Sequence, residues 1–289
     1  MGSNLCSLAY AKTVMGVTDS AGDAKLGLLI AAVSDAVERE CDRHFSRRLF
    51  TGWHDGRGHE ELVLKEWPIS SVRRVSIGSV DALSVRCLAP DASEATAEIT
   101  DSALSLVVLD GADAGTTLLT LATETPLSSL VTAIGLVPGS WSAQALSSLG
   151  GHRSVRLRPS GVKPCRDASA SFEMPEAGET DYFVDYDCGT ISLKCGTFPR
   201  GKRNIYVEYE AGYETIPAAL QQIAAEIVRA AYYATSSLGV TSSGGAVKSE
   251  TLGDYSYTLE DGAGASAINE ALSREAMQRR LAPFKNNLV

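Results

Sequence analysis

The first long stretch of helical periodicity lies near the N-terminus. Leu26, Leu29, Ile30, Val33, Val37 and Cys41 recur at intervals of three and four, which predicts a helix over 23–45 with Asp23 as its N-cap. The opposite face carries Asp35, Glu38, Arg39, Asp42 and Arg43, spaced for i,i+3 and i,i+4 pairing. Past Gly52 and the Gly56–Gly58 turn the period falls to two. Leu62 and Leu64, then Val72, Val75 and Ile77, read as strands bent apart at Pro68.

Residues 81–165 have a different texture, rich in Ala, Ser, Thr and Leu. Strands are predicted over 104–109, 116–122 and 141–146, with a short helix over 127–136. Removing this stretch leaves a continuous pattern on either side, so it reads as an inserted α/β module. The host pattern resumes at Tyr182: strand 182–186, a turn at Cys188-Gly189, strand 190–193, then a basic loop and a third strand over 204–209.

Pro217 opens a second long helix, 217–238, whose only charges are Glu226 and Arg229. Leu220, Ile223, Ile227 and Tyr232, with Ala224, Val228 and Ala231, wrap most of its circumference. A helix apolar nearly all round is buried on several sides. With so few other helices in the pattern, part of that cover is expected from another subunit, through Leu220, Ile223, Ile227 and Tyr232. A Ser/Gly stretch over 236–245 follows, then a third helix near 266–281, and the end, 283–289, is expected to fray.

These elements predict an α+β protein. It is a helical bundle (long helices near 23–45, 217–238 and 266–281) with a small antiparallel β-sheet and an inserted α/β module. The domain reading is a discontinuous host, 1–80 and 166–289 with a C-terminal arm at 239–289, interrupted by the module at 81–165.

Composition narrows the function. The chain has 289 residues, 44% hydrophobic and 21% charged, and a net charge of −9. A core of ordinary size is therefore available, and no apolar run reaches the ~20 residues of a membrane helix. The N-terminus lacks the basic and apolar regions of a secretory signal, so a protein that stays in the cytosol, with no membrane partner, is expected. No Lys or Arg occurs between Cys87 and His152, while seven carboxylates do (Asp91, Glu94, Glu98, Asp101, Asp110, Asp113 and Glu124). That distribution disfavours tight duplex binding and leaves Arg200, Lys202 and Arg203 as a local basic loop. The six cysteines show no CxxC pair, so no zinc site is indicated and reduced thiols are expected, although Cys188 and Cys195 are spaced to face each other across a hairpin.

Catalytic patterns are missing. No nucleophile elbow, phosphate-binding loop or dinucleotide fingerprint occurs. His54-Asp55 and His59-Glu60 sit in a Gly-rich segment where a metal-dependent hydrolase site is conceivable, but exposed turn residues are the plainer reading. Tyr206, Tyr209 and Tyr213 lack the interleaved cations of a base-stacking platform and read as packing residues. No enzyme activity and no cofactor are expected.

Several strings in a particular order carry a family resemblance. They are Val37-Glu38-Arg39-Glu40-Cys41-Asp42-Arg43-His44-Phe45; Leu62-x-Leu64-x3-Pro68-Ile69-x2-Val72; Asp187-Cys188-Gly189-Thr190-Ile191-x-Leu193; Ile205-x-Val207-x-Tyr209-x-Ala211-Gly212-Tyr213-x3-Pro217; and Leu252-Gly253-Asp254-Tyr255-Ser256. In this order the chain resembles the head–tail connector (head-completion adaptor) proteins of long-tailed bacteriophages, over 8–80 and 180–281. The module at 81–165 departs from the compact members of that family.

The resemblance implies a virion protein of the neck, made in the host cytoplasm. It implies a homo-oligomeric ring, usually of twelve copies, that binds the portal protein and extends the DNA channel without gripping the passing genomic DNA. A tail or stopper protein would dock on its far side. Within that frame Leu252, Asp254, Tyr255, Tyr257 and Leu272 belong to a portal-binding arm, and Arg200, Lys202 and Arg203 to a DNA-proximal loop. The rival placement is a minor capsid or tail-completion protein at another layer of the neck.

Overall fold

A computed structural model describes residues 4–121, 125–146, 148–237, 249–252, 255–258 and 263–286. In chain order the elements begin with helices α1 (Leu8–Met15) and α2 (Asp23–Cys41). Strands β1 (Arg48–Gly56), β2 (Glu61–Val63), β3 (Ile69–Ile77), β4 (Ser79–Cys87), β5 (Ala95–Ile99), β6 (Ala103–Val108) and β7 (Gly115–Thr120) follow. Next come α3 (Leu127–Gly135), β8 (Trp141–Ala145), β9 (Lys163–Pro164), β10 (Ala170–Pro175), β11 (Tyr182–Asp185), β12 (Thr190–Leu193) and β13 (Gly201–Ala211). The chain closes with α4 (Ala218–Ser237), the hairpin β14 (Ser249–Leu252) and β15 (Tyr255–Thr258), and α5 (Ala263–Ser273) and α6 (Glu275–Leu281).

The class is α+β, and strands outnumber helices among the described residues. A long-helix bundle with a single small sheet is therefore corrected: there are several small sheets, and the helix near 266–281 is two helices broken at Arg274, which is extended (φ −63°, ψ 129°). The chain divides into two compact units, Met1–Arg48 with Lys65–Pro68 and Ala211–Val289, and Leu49–Leu64 with Ile69–Glu210.

In the first unit, α1, α2, α4, α5 and α6 share one core. Ser7 caps α1, its hydroxyl accepting the Tyr10 N–H at 3.1 Å. The cap of α2 is Gly22; Asp23 is the first helical residue, and its carboxylate takes the Lys12 ammonium at 2.7 Å instead. Leu26, Ile30, Val33, Val37 and Cys41 face inward. The chain end is pinned as far as it is described: Lys285 Nζ meets Glu40 at 2.6 Å and Asn286 N–H donates to the Cys41 carbonyl at 2.9 Å, so the fraying expected from 283 onward is corrected there.

The second unit owes most of its core to alternation along its strands. Leu83, Val85 and Cys87 of β4, Ala95, Ala97 and Ile99 of β5, and Leu104, Leu106 and Val108 of β6 are buried at every second position. Leu127, Leu130 and Ile134 of α3 close over them. Two antiparallel sheets carry this core, ordered β7-β6-β5-β9 and β10-β4-β8. β10 lies beyond residue 165, and Ala170, Phe172 and Met174 bring its buried face to the same core. A further sheet, β1-β13-β3, places β13 at its centre, which is why Ile205 to Tyr209 are buried on both faces. The sheet β11-β12-β2 contains the hairpin whose turn is shaped by Asp185, its Oδ1 accepting the N–H groups of Asp187 at 3.1 Å and Cys188 at 3.0 Å.

Candidate functional site

In the first unit, three distant segments cross at one junction. The Tyr213 N–H donates to the Phe45 carbonyl at 2.7 Å, the Arg47 N–H to the Tyr213 carbonyl at 3.1 Å, and the Gly212 N–H to the Pro68 carbonyl at 2.9 Å. Arg43 fills the junction at 2% exposure. Its guanidinium lies 3.5 Å from the Trp67 ring centroid, with Phe45 at 5.1 Å and Tyr213 at 5.8 Å, and it donates to the Trp67 carbonyl. Burial pushes its pKa down, while Tyr213 and Glu66 oppose that shift.

Beside it, Glu38 accepts from His44 Nδ1 at 2.9 Å and from the Phe45 N–H at 3.2 Å, and Glu66 accepts the His44 N–H at 2.8 Å. Burial raises the Glu66 carboxyl against that bond. The open cleft here, about 530 Å³, is lined by acidic Asp35, Glu38, Asp42 and Glu66 and by basic Arg39, Arg43, His44 and Lys65. Mixed in sign, it selects no simple ion.

The second unit holds a buried polar network. Arg156 grips Glu208 through both nitrogens, Nε at 2.6 Å and Nη2 at 2.9 Å, and the Tyr206 hydroxyl donates to the same carboxylate at 3.0 Å. His152 Nδ1 lies 3.2 Å from Arg156 Nη1, and Trp53 Nε1 donates to the Arg156 carbonyl at 3.3 Å. Charge and hydrogen bonding raise Arg156; burial, with Arg156 and Arg74, lowers His152.

Several sequence expectations are corrected. Leu220, Ile223 and Ile227 are not held out for a second subunit: all three are at most 1% exposed within their own unit, covered by α1, α2 and α5. Tyr232 is half-buried against Tyr233 and the Lys25 ammonium. Leu272 is 6% exposed in that same core and is not available to an arm. Leu252, Tyr255 and Tyr257 lie in the β14–β15 hairpin, with Leu252 opposite Tyr255 and Tyr257 opposite Glu250; Asp254 lies outside the described residues. Lys202 and Arg203 are not loop residues but open β13, and Arg200 packs near Gly58. His54 belongs to β1, where burial lowers its pKa, and only His59 sits in the turn. All six cysteines are free; Cys6, Cys41, Cys87 and Cys165 are buried, and burial pushes the Cys165 thiol up to about 12. Among the described residues no three His, Cys, Asp or Glu stand together to hold a metal, and no helix is long and apolar enough to cross a membrane.

Arg156 and Glu208 escaped the sequence reading, and Arg43, expected on the paired polar face of the first long helix, is instead buried just beyond the end of α2. Glu208 alternates with apolar Val207 and Tyr209 and so reads as a solvent-facing strand residue. Its one signal is that the neighbours on its own side of the strand, Tyr206 among them, are also large.

No family model matches the chain, and no curated protein matches it. Among solved structures it is similar, at 12% identity and a TM-score of 0.33, to a chain of the neck of an empty GTA particle computed with C6 symmetry, over 92% of this chain and 89% of that one.

Proposed function

We propose that the protein is a non-enzymatic head–tail adaptor of a phage-type particle. It would assemble as a ring beneath a portal, extend the DNA channel and give a tail or stopper its platform. The observation that carries this reading is the junction around Arg43. Three of the strings that resemble the connector family, 37–45, 62–72 and 205–217, are far apart in sequence and contribute Arg43, Pro68, Gly212 and Tyr213 to one crossing. Strings that meet at one crossing support a common structural role better than strings left scattered along the fold would.

The stretch 81–165 is proposed as an addition to the connector host, and the β14–β15 pair, Ser249–Leu252 with Tyr255–Thr258, as the part that meets the portal, since α5 and α6 are taken up in the unit's own core. Because Leu220, Ile223 and Ile227 are consumed inside the unit, ring contacts fall to outward side chains such as Leu28, which is 75% exposed on α2.

Electron microscopy of the purified protein, alone and mixed with its portal, tests the reading. Rings with a central channel, or added density under the portal, are the expected result. A protein that stays monomeric and leaves the portal bare would overturn it.

A further inference from the structure

A second cleft, in the unit that contains β13, has a different chemistry from the junction at Arg43. It measures about 310 Å³ and is lined by Arg158, Pro159, Ser160, Lys163, Glu173, Lys202 and Arg203. Four cations face one carboxylate, in a protein whose net charge is −9. That carboxylate is already committed. Glu173 accepts from Ser79 Oγ at 2.7 Å and from Arg158 Nη1 at 2.6 Å, and these two partners hold it below the ordinary glutamate value.

The cationic wall is built, not merely exposed. Arg203 has a left-handed backbone, φ 47°, an unfavourable conformation for a residue with a side chain. Asp55 holds it there: Oδ1 accepts the Arg203 N–H at 2.8 Å while Oδ2 accepts the Lys202 ammonium at 2.7 Å. Asn204 ties the same turn to β1, accepting the Gly56 N–H at 2.8 Å and donating to the Pro199 carbonyl at 2.8 Å. Across the cleft, Arg158 Nη2 donates to the Lys202 carbonyl at 2.8 Å, and the Lys163 ammonium donates to the Ser171 carbonyl. Lys163 and Lys202 each retain N–H donors beyond these bonds. Among the described residues the Arg203 guanidinium makes one long ion-pair contact, to Asp101 at 3.6 Å.

An independent observation comes from Ser160. Ser160 lines this cleft, and its buried hydroxyl has no hydrogen-bond partner among the described residues. Buried hydroxyls are normally satisfied, and one that is not marks a place where a partner belongs.

We infer that the cleft binds a phosphate group. A tetrahedral oxyanion offers several acceptor oxygens at once, which suits Lys163, Lys202, Arg203 and the Ser160 hydroxyl better than the two oxygens of a carboxylate would. The surrounding acidity makes the interaction local and sensitive to salt. The phosphate can be free or part of a nucleic-acid backbone; the chemistry is shared. The inference stands on the cleft alone and does not depend on ring assembly.

The test uses the full chain, titrated with inorganic phosphate by NMR and with a fluorescent duplex oligonucleotide by anisotropy, at low and physiological ionic strength. Binding is expected at low salt and weakens as salt rises. Lys163→Gln combined with Arg203→Gln should weaken it by about tenfold or more, while Arg86→Gln, an exposed cation outside the lining, leaves it unchanged. Ser160→Ala removes an unsatisfied hydroxyl, so it folds normally and reports on binding without a stability loss. Phosphate that displaces the duplex identifies the backbone as one source, and phosphate binding without duplex binding identifies the free anion. Absence of binding by both probes, or binding indifferent to Lys163, Arg203 and Ser160, overturns the proposal.

Discussion

Arg156 and Glu208 form a two-pronged ion pair across 52 residues of sequence, with side chains only 16% and 4% exposed. One partner lies between β8 and β9 and the other sits on the central strand of β1-β13-β3, so this bond ties together segments far apart in the sequence of the same unit. Its value is mainly negative: either partner alone would be a buried, uncompensated charge.

Arg156→Met should therefore destabilise the protein by about 3–5 kcal/mol. The double variant Arg156→Met/Glu208→Gln should recover much of that loss, since Gln is neutral and still accepts from Tyr206. Urea unfolding of the three proteins gives the comparison. Equal stability of wild type and Arg156→Met would remove the pair from any structural role.

The pH dependence has a definite sign at this site. Burial by itself would raise the Glu208 carboxyl, but the hydrogen bonds and charge of Arg156 and the Tyr206 hydroxyl bring it below the ordinary glutamate value. Its stabilisation is therefore complete above the unfolded pKa and is lost as pH falls through the folded one. His152 works in the same direction at higher pH. Its folded pKa is lowered, so acidification through the ordinary histidine range protonates the unfolded chain first. Glu66 has the opposite sign: raised by burial, it favours the fold below its unfolded pKa and loses that contribution as pH rises through the folded one. From neutral pH down to about pH 4, the urea midpoint should fall less steeply in Glu208→Gln than in wild type, and more steeply in Glu66→Gln.

Gly212 and Gly16 both have positive φ, 102° and 70°, yet they should tolerate alanine unequally. A Cβ on Gly212 would stand 2.6 Å from the Ser46 carbonyl oxygen and 2.8 Å from the Arg47 nitrogen, both backbone atoms, whereas one on Gly16 meets nothing within 4 Å. Gly16→Ala should cost about 1–2 kcal/mol, the left-handed penalty alone. Gly212→Ala should cost clearly more, because the crossing at Phe45 and Tyr213 must open. Thermal denaturation separates the two, and equal losses would mean that the close approach is unimportant.

Ile227 and Leu28 separate core from contact surface. Ile227→Ala should cost about 2–5 kcal/mol at any protein concentration. Leu28→Asp should leave chain stability within about 0.5 kcal/mol and, if α2 faces a neighbour in a ring, abolish the ring. Sedimentation with parallel urea melts measures both. An Ile227 variant that dissociates a ring while keeping full chain stability would return α4 to the interface.

Much of the local structure was legible in the sequence. Period-two runs at 104–109 and 116–122 became β6 and β7, the apolar stretch after Pro217 became α4, and the turn expected at Cys188-Gly189 joined β11 to β12. These features depend on the geometry of a single segment, because a strand repeats every two residues and a helix every 3.6 whatever lies opposite. The cover over each face was not legible. α4 is buried by helices of its own chain, β10 completes the sheet of β4 from beyond the predicted module, and Glu208, polar by pattern, is sealed by Arg156 from 52 residues away. Lys202 and Arg203 looked like an isolated basic loop until the fold set Arg158 and Lys163 opposite them. Periodicity records which side of an element is apolar; only long-range pairing decides what that side meets, and burial, charge compensation and clefts all follow from the pairing.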